Sequence, residues 1–184
     1  MDLSHLPARE RILVTAHALF YRDGIRATGV DRLIAESGVA KLTFYRHFPS
    51  RDDLVRAFLD YRHERWMAWL VDALGRHGAR PGGGLAPLVA ALAEWFADPA
   101  FRGCAFINAV AEVGGSLPDA VAIARRHKQE MTDVLADLLP SGPQRHDAAH
   151  AVAVAVDGAI VQAQMADGAA ALAALKQLLA LPSA

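Results

Sequence analysis

Apolar side chains recur every three or four residues from one end of the chain to the other, and short breaks rich in glycine or proline separate the runs. Ile12, Leu13, Ala16, Leu19 and Phe20 predict a helix over about Pro7 to Asp23, with Gly24 as its terminator. Val30, Leu33 and Ile34 share the buried face of a second helix that starts at Thr28. The Thr28 hydroxyl is expected to cap its first turn, and Asp31 to return the bond as in a capping box. Ser37-Gly38 stops this helix, because glycine accepts the left-handed backbone of a sharp turn. A third helix follows over about Ala40 to Phe48, with Phe44 and Phe48 inward. Its outward residues are Lys41, Leu42, Thr43, Tyr45, Arg46 and His47. Pro49 ends it. Ser50 and Asp53 then form a second capping box, which opens a long helix from Arg51 to about Arg76.

Leu54, Phe58, Leu59, Trp66, Trp69 and Leu70 are the expected inward residues of that long helix. The glycine-rich stretch from Gly75 to Gly84 is a connector and a candidate boundary. Further helical runs cover about Ala86 to Ala97, Cys104 to Val113, Pro118 to Leu139, Pro143 to Met165 and Ala169 to Leu181. Pro99, Pro118, Pro140 and Pro182 punctuate them, and no run alternates as a strand does. The reading is an all-α chain of about nine helices. A three-helix head, residues 1–50, precedes a larger bundle, residues 51–184.

Two short helices joined by a glycine turn, the second with a basic and aromatic outer face, are the pattern of a helix-turn-helix. Such a second helix fits the major groove of B-form DNA, and its first residues reach base edges. Lys41 suits guanine acceptors, and Leu42 or Tyr45 a thymine methyl. Thr43, Tyr45, His47 and Arg51 suit phosphate oxygens, which set register without reading sequence. Thr28, at the start of the motif, is counted with them. A helical hairpin with a polar outer face is the plain alternative, but the string Tyr45-x-His47-Phe48-x-Ser50-Arg51 at this distance from Gly38-Val39 is more specific than a glycine turn alone.

The segment GVAKLTFYRHFPSRDDL, residues 38–54, resembles the recognition helix of the tetracycline-repressor (TetR/AcrR) family of bacterial transcriptional regulators, and the resemblance runs from residue 9 to about 60. It implies that Lys41, Leu42 and Arg46 face bases while Thr43, Tyr45, His47 and Arg51 mostly hold the backbone. Ala40 stands where the family usually has a serine cap, and Leu42 where a small residue is frequent. Base preference therefore does not carry over from a relative.

Composition adds little to this. With 53% of its 184 residues apolar and 21% charged, the chain is no disordered segment. The net charge of −1 is awkward for a nucleic-acid binder. Residues 1–65 hold eleven Lys and Arg against nine Asp and Glu, the remainder eight against eleven, so placement rather than bulk charge must do the work. No uninterrupted apolar run reaches a membrane span, and no basic-then-apolar leader opens the chain. The lone Cys104 forbids an internal disulfide, which suits a cytoplasmic protein.

Two further surfaces are expected in the bundle. Ala149, Val152, Ala153, Val156, Ala159, Ile160 and Ala163 form a small-residue face that, with Leu172, Leu175 and Leu179, suits a four-helix homodimer contact. The alternative is that this face packs within its own subunit. Asp157-Gly158-Ala159 resembles a sequence many family members carry here. Trp66, Trp69, Trp95, Phe96, Phe101, Phe106 and Met131 are many large side chains for a small bundle, with Asn108, Glu112, His127 and Gln162 among them. Core filling explains any one of them, yet apolar walls with a few polar groups also describe a small-molecule site. The resemblance implies an effector pocket, with the Arg102-Gly103-Cys104 to Asn108 stretch similar to the pocket-lining helix of some subgroups. Trp66, Trp69, Phe96, Cys104, Asn108, Glu112, His127 and Gln162 are its candidate ligand-binding residues, Cys104 as a buried small hydrophobe.

The enzymatic rival is His146-Asp147-Ala148-Ala149-His150, close to the H-E-x-x-H of zinc peptidases. Aspartate is one methylene short of the catalytic glutamate and no third ligand follows, so a solvated helix start is preferred. No glycine-rich phosphate loop is present, and no cofactor or metal is expected. The expectation is a cytoplasmic homodimeric repressor, not an enzyme and not bound to membrane. It would be released from a near-palindromic DNA site by a small apolar or aromatic effector. The alternative is a small-molecule-binding helical bundle that never meets DNA.

Overall fold

The computed structural model describes residues 3–180, and the expected helix end at Leu181 and stop at Pro182 lie outside the described residues. The fold is all-α, with nine helices and no strand among the described residues. Two compact units divide it: residues up to Glu64 with Ala105–Arg125, and Arg65–Cys104 with the residues from Arg126 on.

In the first unit, α1 (Ala8–Asp23) packs on α2 (Val30–Ser37) and α3 (Lys41–His47). Ile12, Ala16, Leu19, Phe20, Leu33 and Phe44 close the core between them. The first half of α4 (Arg51–Arg76) adds Leu54, Phe58 and Leu59, with the Phe58 ring edge-on to Phe20 at 5.3 Å. α1 ends at Gly24, whose φ of +94° only glycine takes up readily. α2 ends at Gly38 in the left-handed conformation, φ +64°, which turns the chain sharply into α3.

The Ser50–Asp53 capping box forms as expected. Asp53 N–H donates to Ser50 Oγ at 3.1 Å, and Asp53 Oδ2 accepts from Ser50 N at 3.0 Å. The Thr28–Asp31 box does not form. Gly29 caps α2 without a side-chain bond, and the Thr28 hydroxyl donates backwards to Gly24 O at 2.8 Å. A threonine four residues past a free carbonyl has both options, and here closing the loop wins over capping. α6 (Ala105–Val113) and the first turns of α7 (Pro118–Leu138) complete this unit, tied to α4 by an Arg56–Asp119 ion pair at 2.6 Å.

In the second unit, α9 (Gly168–Ala180) packs against α8 (Arg145–Met165) and α5 (Ala86–Phe96). Gly168 lies close against Phe96 at the start of α9, where a Cβ would come within 3.1 Å of Phe96 Cβ. Lys128 of α7 pairs with Asp157 of α8. The glycine connector is no boundary: Gly82 N–H donates to Asp137 O at 2.9 Å and Gly84 N–H to Leu138 O at 2.8 Å, which fastens it to the end of α7 within this unit.

The expected dimer face is corrected by burial. Ala149, Val152, Ala153, Val156, Ala159 and Ile160 are all buried inside their own subunit, as is Leu175. Ala163, Leu172 and Leu179 are half-buried. The opposite stripe of α8 is the open one: Val154 is 60% and Met165 67% exposed, with Gly158 between them. α8 also passes the length and composition test of a membrane span, 21 residues with a mean hydropathy of 1.2 over its best window, but Asp157 interrupts its apolar run. Its hydropathy comes largely from alanine and valine, and its inner face is packed.

Candidate nucleic-acid interface

α3 stands on two phenylalanines. Phe44 is completely buried and Phe48 nearly so, their rings 6.5 Å apart, and the Arg9 guanidinium lies 5.3 Å over Phe48. Burying two such rings contributes about 3–6 kcal/mol to holding this seven-residue helix, which has no side-chain cap at Ala40. Lys41, Leu42, Tyr45 and Arg46 are exposed, Leu42 by 83%, and Thr43 and His47 are half-buried. Leu42 thus stands in solvent on an anchored helix, and the polar side of α3 faces outward.

Two residues grouped with this surface are placed otherwise. Thr28 is fully buried and its hydroxyl donates to Gly24 O, so it offers no group to a phosphate. Arg51 is half-buried, and its guanidinium donates to Ile25 O and, at 3.4 Å, to Thr28 O. Its first task is to fasten the loop between α1 and α2 onto α4. A third residue holds that loop. Glu112 of α6 accepts from Arg26 N–H at 2.8 Å and lies against Gly24. Sequence reasoning gave Glu112 to the pocket, and no local pattern marks an acceptor that acts 86 residues away. On the outside of the head, Arg22 and Arg32 flank Asp23, and Arg32 also pairs with Glu36 at 2.8 Å. The Arg22 hydrogen bond, more than its charge, draws the Asp23 carboxyl down to about 2.

The remaining candidates divide between the two units. Trp66, Trp69, Phe96, Cys104, His127 and Gln162 fall in the second, Asn108 and Glu112 in the first. Trp66 is the centre of an aromatic cluster: Trp95 lies 5.4 Å from it, His127 5.1 Å and Trp69 6.1 Å, ring to ring. Its indole Nε1 is buried without a hydrogen-bond partner. The Phe96 ring packs at a tilt against Trp95 and Phe101, and Cys104 is buried. Gln162 is exposed, while Asn108 is half-buried on α6. His146 and His150 are exposed near the start of α8, and the described residues contain no group of three or more His, Cys, Asp or Glu placed to hold a metal.

Comparison with known proteins agrees with this geometry. The family described as bacterial regulatory proteins, tetR family, matches residues 12–58. The HTH-type transcriptional regulator YerO of Bacillus subtilis is 36% identical over 53 residues, a segment that is 29% of this chain and 18% of YerO. A solved TetR-family transcriptional regulator from Streptomyces coelicolor is 30% identical, with 94% of each chain covered and a TM-score of 0.81. Escherichia coli NemR in its reduced form shares the fold at 20% identity and a TM-score of 0.78, with 96% of this chain and 99% of NemR covered. The likeness to the Streptomyces protein extends over nearly the whole chain, well past the helix-turn-helix, and this chain belongs to the TetR family of DNA-binding bacterial transcriptional regulators.

Proposed function

We propose that the protein is a cytoplasmic, homodimeric, ligand-responsive repressor rather than an enzyme. The head, residues 1–50, reads the operator, and residues 51–184 bind the effector and pair the subunits. The observation that carries the reading is the outward face of α3, with Lys41, Leu42, Tyr45 and Arg46 exposed above a buried Phe44 and Phe48. Lys41, Leu42 and Arg46 meet base edges, while Thr43, Tyr45 and His47 position the helix on phosphates. Two copies place their α3 helices in successive major grooves, about 34–36 Å apart, on a near-palindromic site.

The subunits pair through the outer stripes of α8 and α9. Val154, Gly158 and Met165 lie on one stripe of α8, and Leu178 is 55% exposed on α9. The aromatic cluster around Trp66 is the effector region. Effector and operator affinities oppose each other reciprocally. α4 is the lever, because it runs from the capping box to the tryptophans as one 26-residue helix. A gel-shift titration with the promoter duplex beside its own coding region tests the reading. Trp69→Ala is expected to change release by effector more than operator affinity. Uniform failure to bind DNA at low salt would contradict it.

A further inference from the structure

A cleft of ≈ 290 Å³ opens in the second unit, walled by Trp69 of α4 and by Trp95, Ala97 and Pro99 at the end of α5, with Glu94 and Asp98 at its edge. Its chemistry differs from that of a plain apolar pocket. The two indoles sit 6.0 Å apart with their planes inclined by 49°, and Phe101 stands edge-on to Trp95 at 5.1 Å, which holds the wall in place. The two carboxylates at its edge differ in their partners. Glu94 takes the Arg76 guanidinium at 2.6 Å, and Arg76 is shared with Asp72. Asp98 Oδ1 accepts the Ala100 N–H at 2.8 Å, and Arg102 is turned onto the carbonyls of Pro99 and Phe101 at 3.0 and 2.6 Å. Among the described residues Asp98 makes no ion pair, whereas Glu94 is taken up by Arg76. His77 lies 3.3 Å from Glu94.

We propose that this cleft binds an organic cation, a quaternary ammonium carrying an aromatic ring or a group of similar size. Indole faces attract a cation through their negative quadrupole, and a weakly hydrated ammonium loses little on entering a half-open aromatic wall. The Asp98 carboxylate, which has no ion pair among the described residues, adds a Coulombic attraction that a neutral molecule cannot use and an anion meets as repulsion. The cleft is at the small end of ligand sites, which suits a compact cation rather than an extended one. This sharpens the class of effector and rests on the proposed function only for its coupling to DNA.

Phenyltrimethylammonium and its neutral isostere tert-butylbenzene are the probes, titrated against the intact protein by tryptophan fluorescence. The expected result is saturable quenching by the cation, about tenfold tighter than by the isostere. Asp98→Asn, at an exposed position that does not disturb packing, is expected to weaken the cation severalfold and leave the isostere unchanged. Trp69→Leu is expected to weaken both. Equal affinity for the two probes, or no effect of Asp98→Asn, overturns the cation site. A parallel gel shift separates the two ideas. Charge-selective binding without operator release upholds the site and removes it from induction. Operator release by neutral apolar compounds with no cation binding overturns the site and leaves induction standing.

Discussion

Glu112 Oε2 accepts the Arg26 backbone N–H at 2.8 Å, so a side chain from α6 closes the loop that joins α1 to α2 in the DNA-binding head. The same carboxylate occupies the space a Cβ on Gly24 would enter, at 3.2 Å from Oε2. A larger residue at Gly24 meets both this contact and a positive φ. Glu112→Ala is expected to destabilise the head by ~1 kcal/mol and to lower operator affinity, with Glu112→Gln recovering part of both because its amide oxygen still accepts. Gly24→Ala is expected to cost about 1–3 kcal/mol through its backbone. Urea unfolding and operator titration of the three variants check this; operator affinity unchanged in all three contradicts it.

Ser50 and Asp53 cap α4 reciprocally. Ser50→Ala removes the acceptor for the Asp53 N–H and is expected to lower stability by about 0.5–2 kcal/mol. Ser50→Asp, which restores an acceptor, is expected to recover most of the loss. Thermal unfolding of the two variants measures it.

Acid should loosen the head through its carboxylates. Asp23 is held at about 2 by the Arg22 hydrogen bond and by Arg32, and Asp53 is lowered by its Ser50 hydrogen bond. A carboxyl lowered in the folded state contributes stability that is complete above its unfolded value of 3.8 and is lost as pH falls toward the folded value. Unfolding free energy is therefore expected to fall between about pH 4 and pH 2, less steeply in Asp23→Asn. An identical slope in that variant contradicts the assignment.

Lys41 and Arg51 should separate cleanly. Lys41→Ala is expected to lose discrimination at one base position, by roughly 1–3 kcal/mol for a bidentate contact, with stability unchanged. Arg51 is bonded to the carbonyls of Ile25 and Thr28, so Arg51→Ala is expected to destabilise the head itself and to weaken all DNA sequences alike. A panel of operator variants, read alongside unfolding curves, distinguishes the two.

The outer stripes of α8 and α9 predict the subunit contact. Val154→Arg with Leu178→Arg is expected to yield monomers that remain folded, since both side chains are exposed in the single chain. Sedimentation at micromolar concentration reports it, and an unchanged mass contradicts this placement.

What the sequence revealed follows from the range of each interaction. Helix boundaries, the Gly38 turn, the Ser50–Asp53 cap and the phenylalanine anchors of α3 were legible, because periodicity and local hydrogen bonding set them. Thr28 was misread because a threonine near a helix start can cap forward or bond backward, and its choice depends on the Gly24 carbonyl. The contacts of Glu112 and Arg51 were not legible because their partners lie far along the chain or on backbone carbonyls, which leave no spacing to read. The inner and outer faces of α8 were not separable in the sequence because alanine and valine populate both. Burial of Ala149 and Val156 against exposure of Val154 settles which is inner.

Selection of bound sequences from a random duplex pool puts α3 and subunit pairing to one trial. The expected outcome is a near-palindrome whose half-sites lie about one helical turn apart, with loss of one base preference in Lys41→Ala. Recovery of sequences without symmetry, or of the same sequences from wild type and from a chain with Lys41 and Arg46 both replaced by alanine, would show that α3 does not read the duplex.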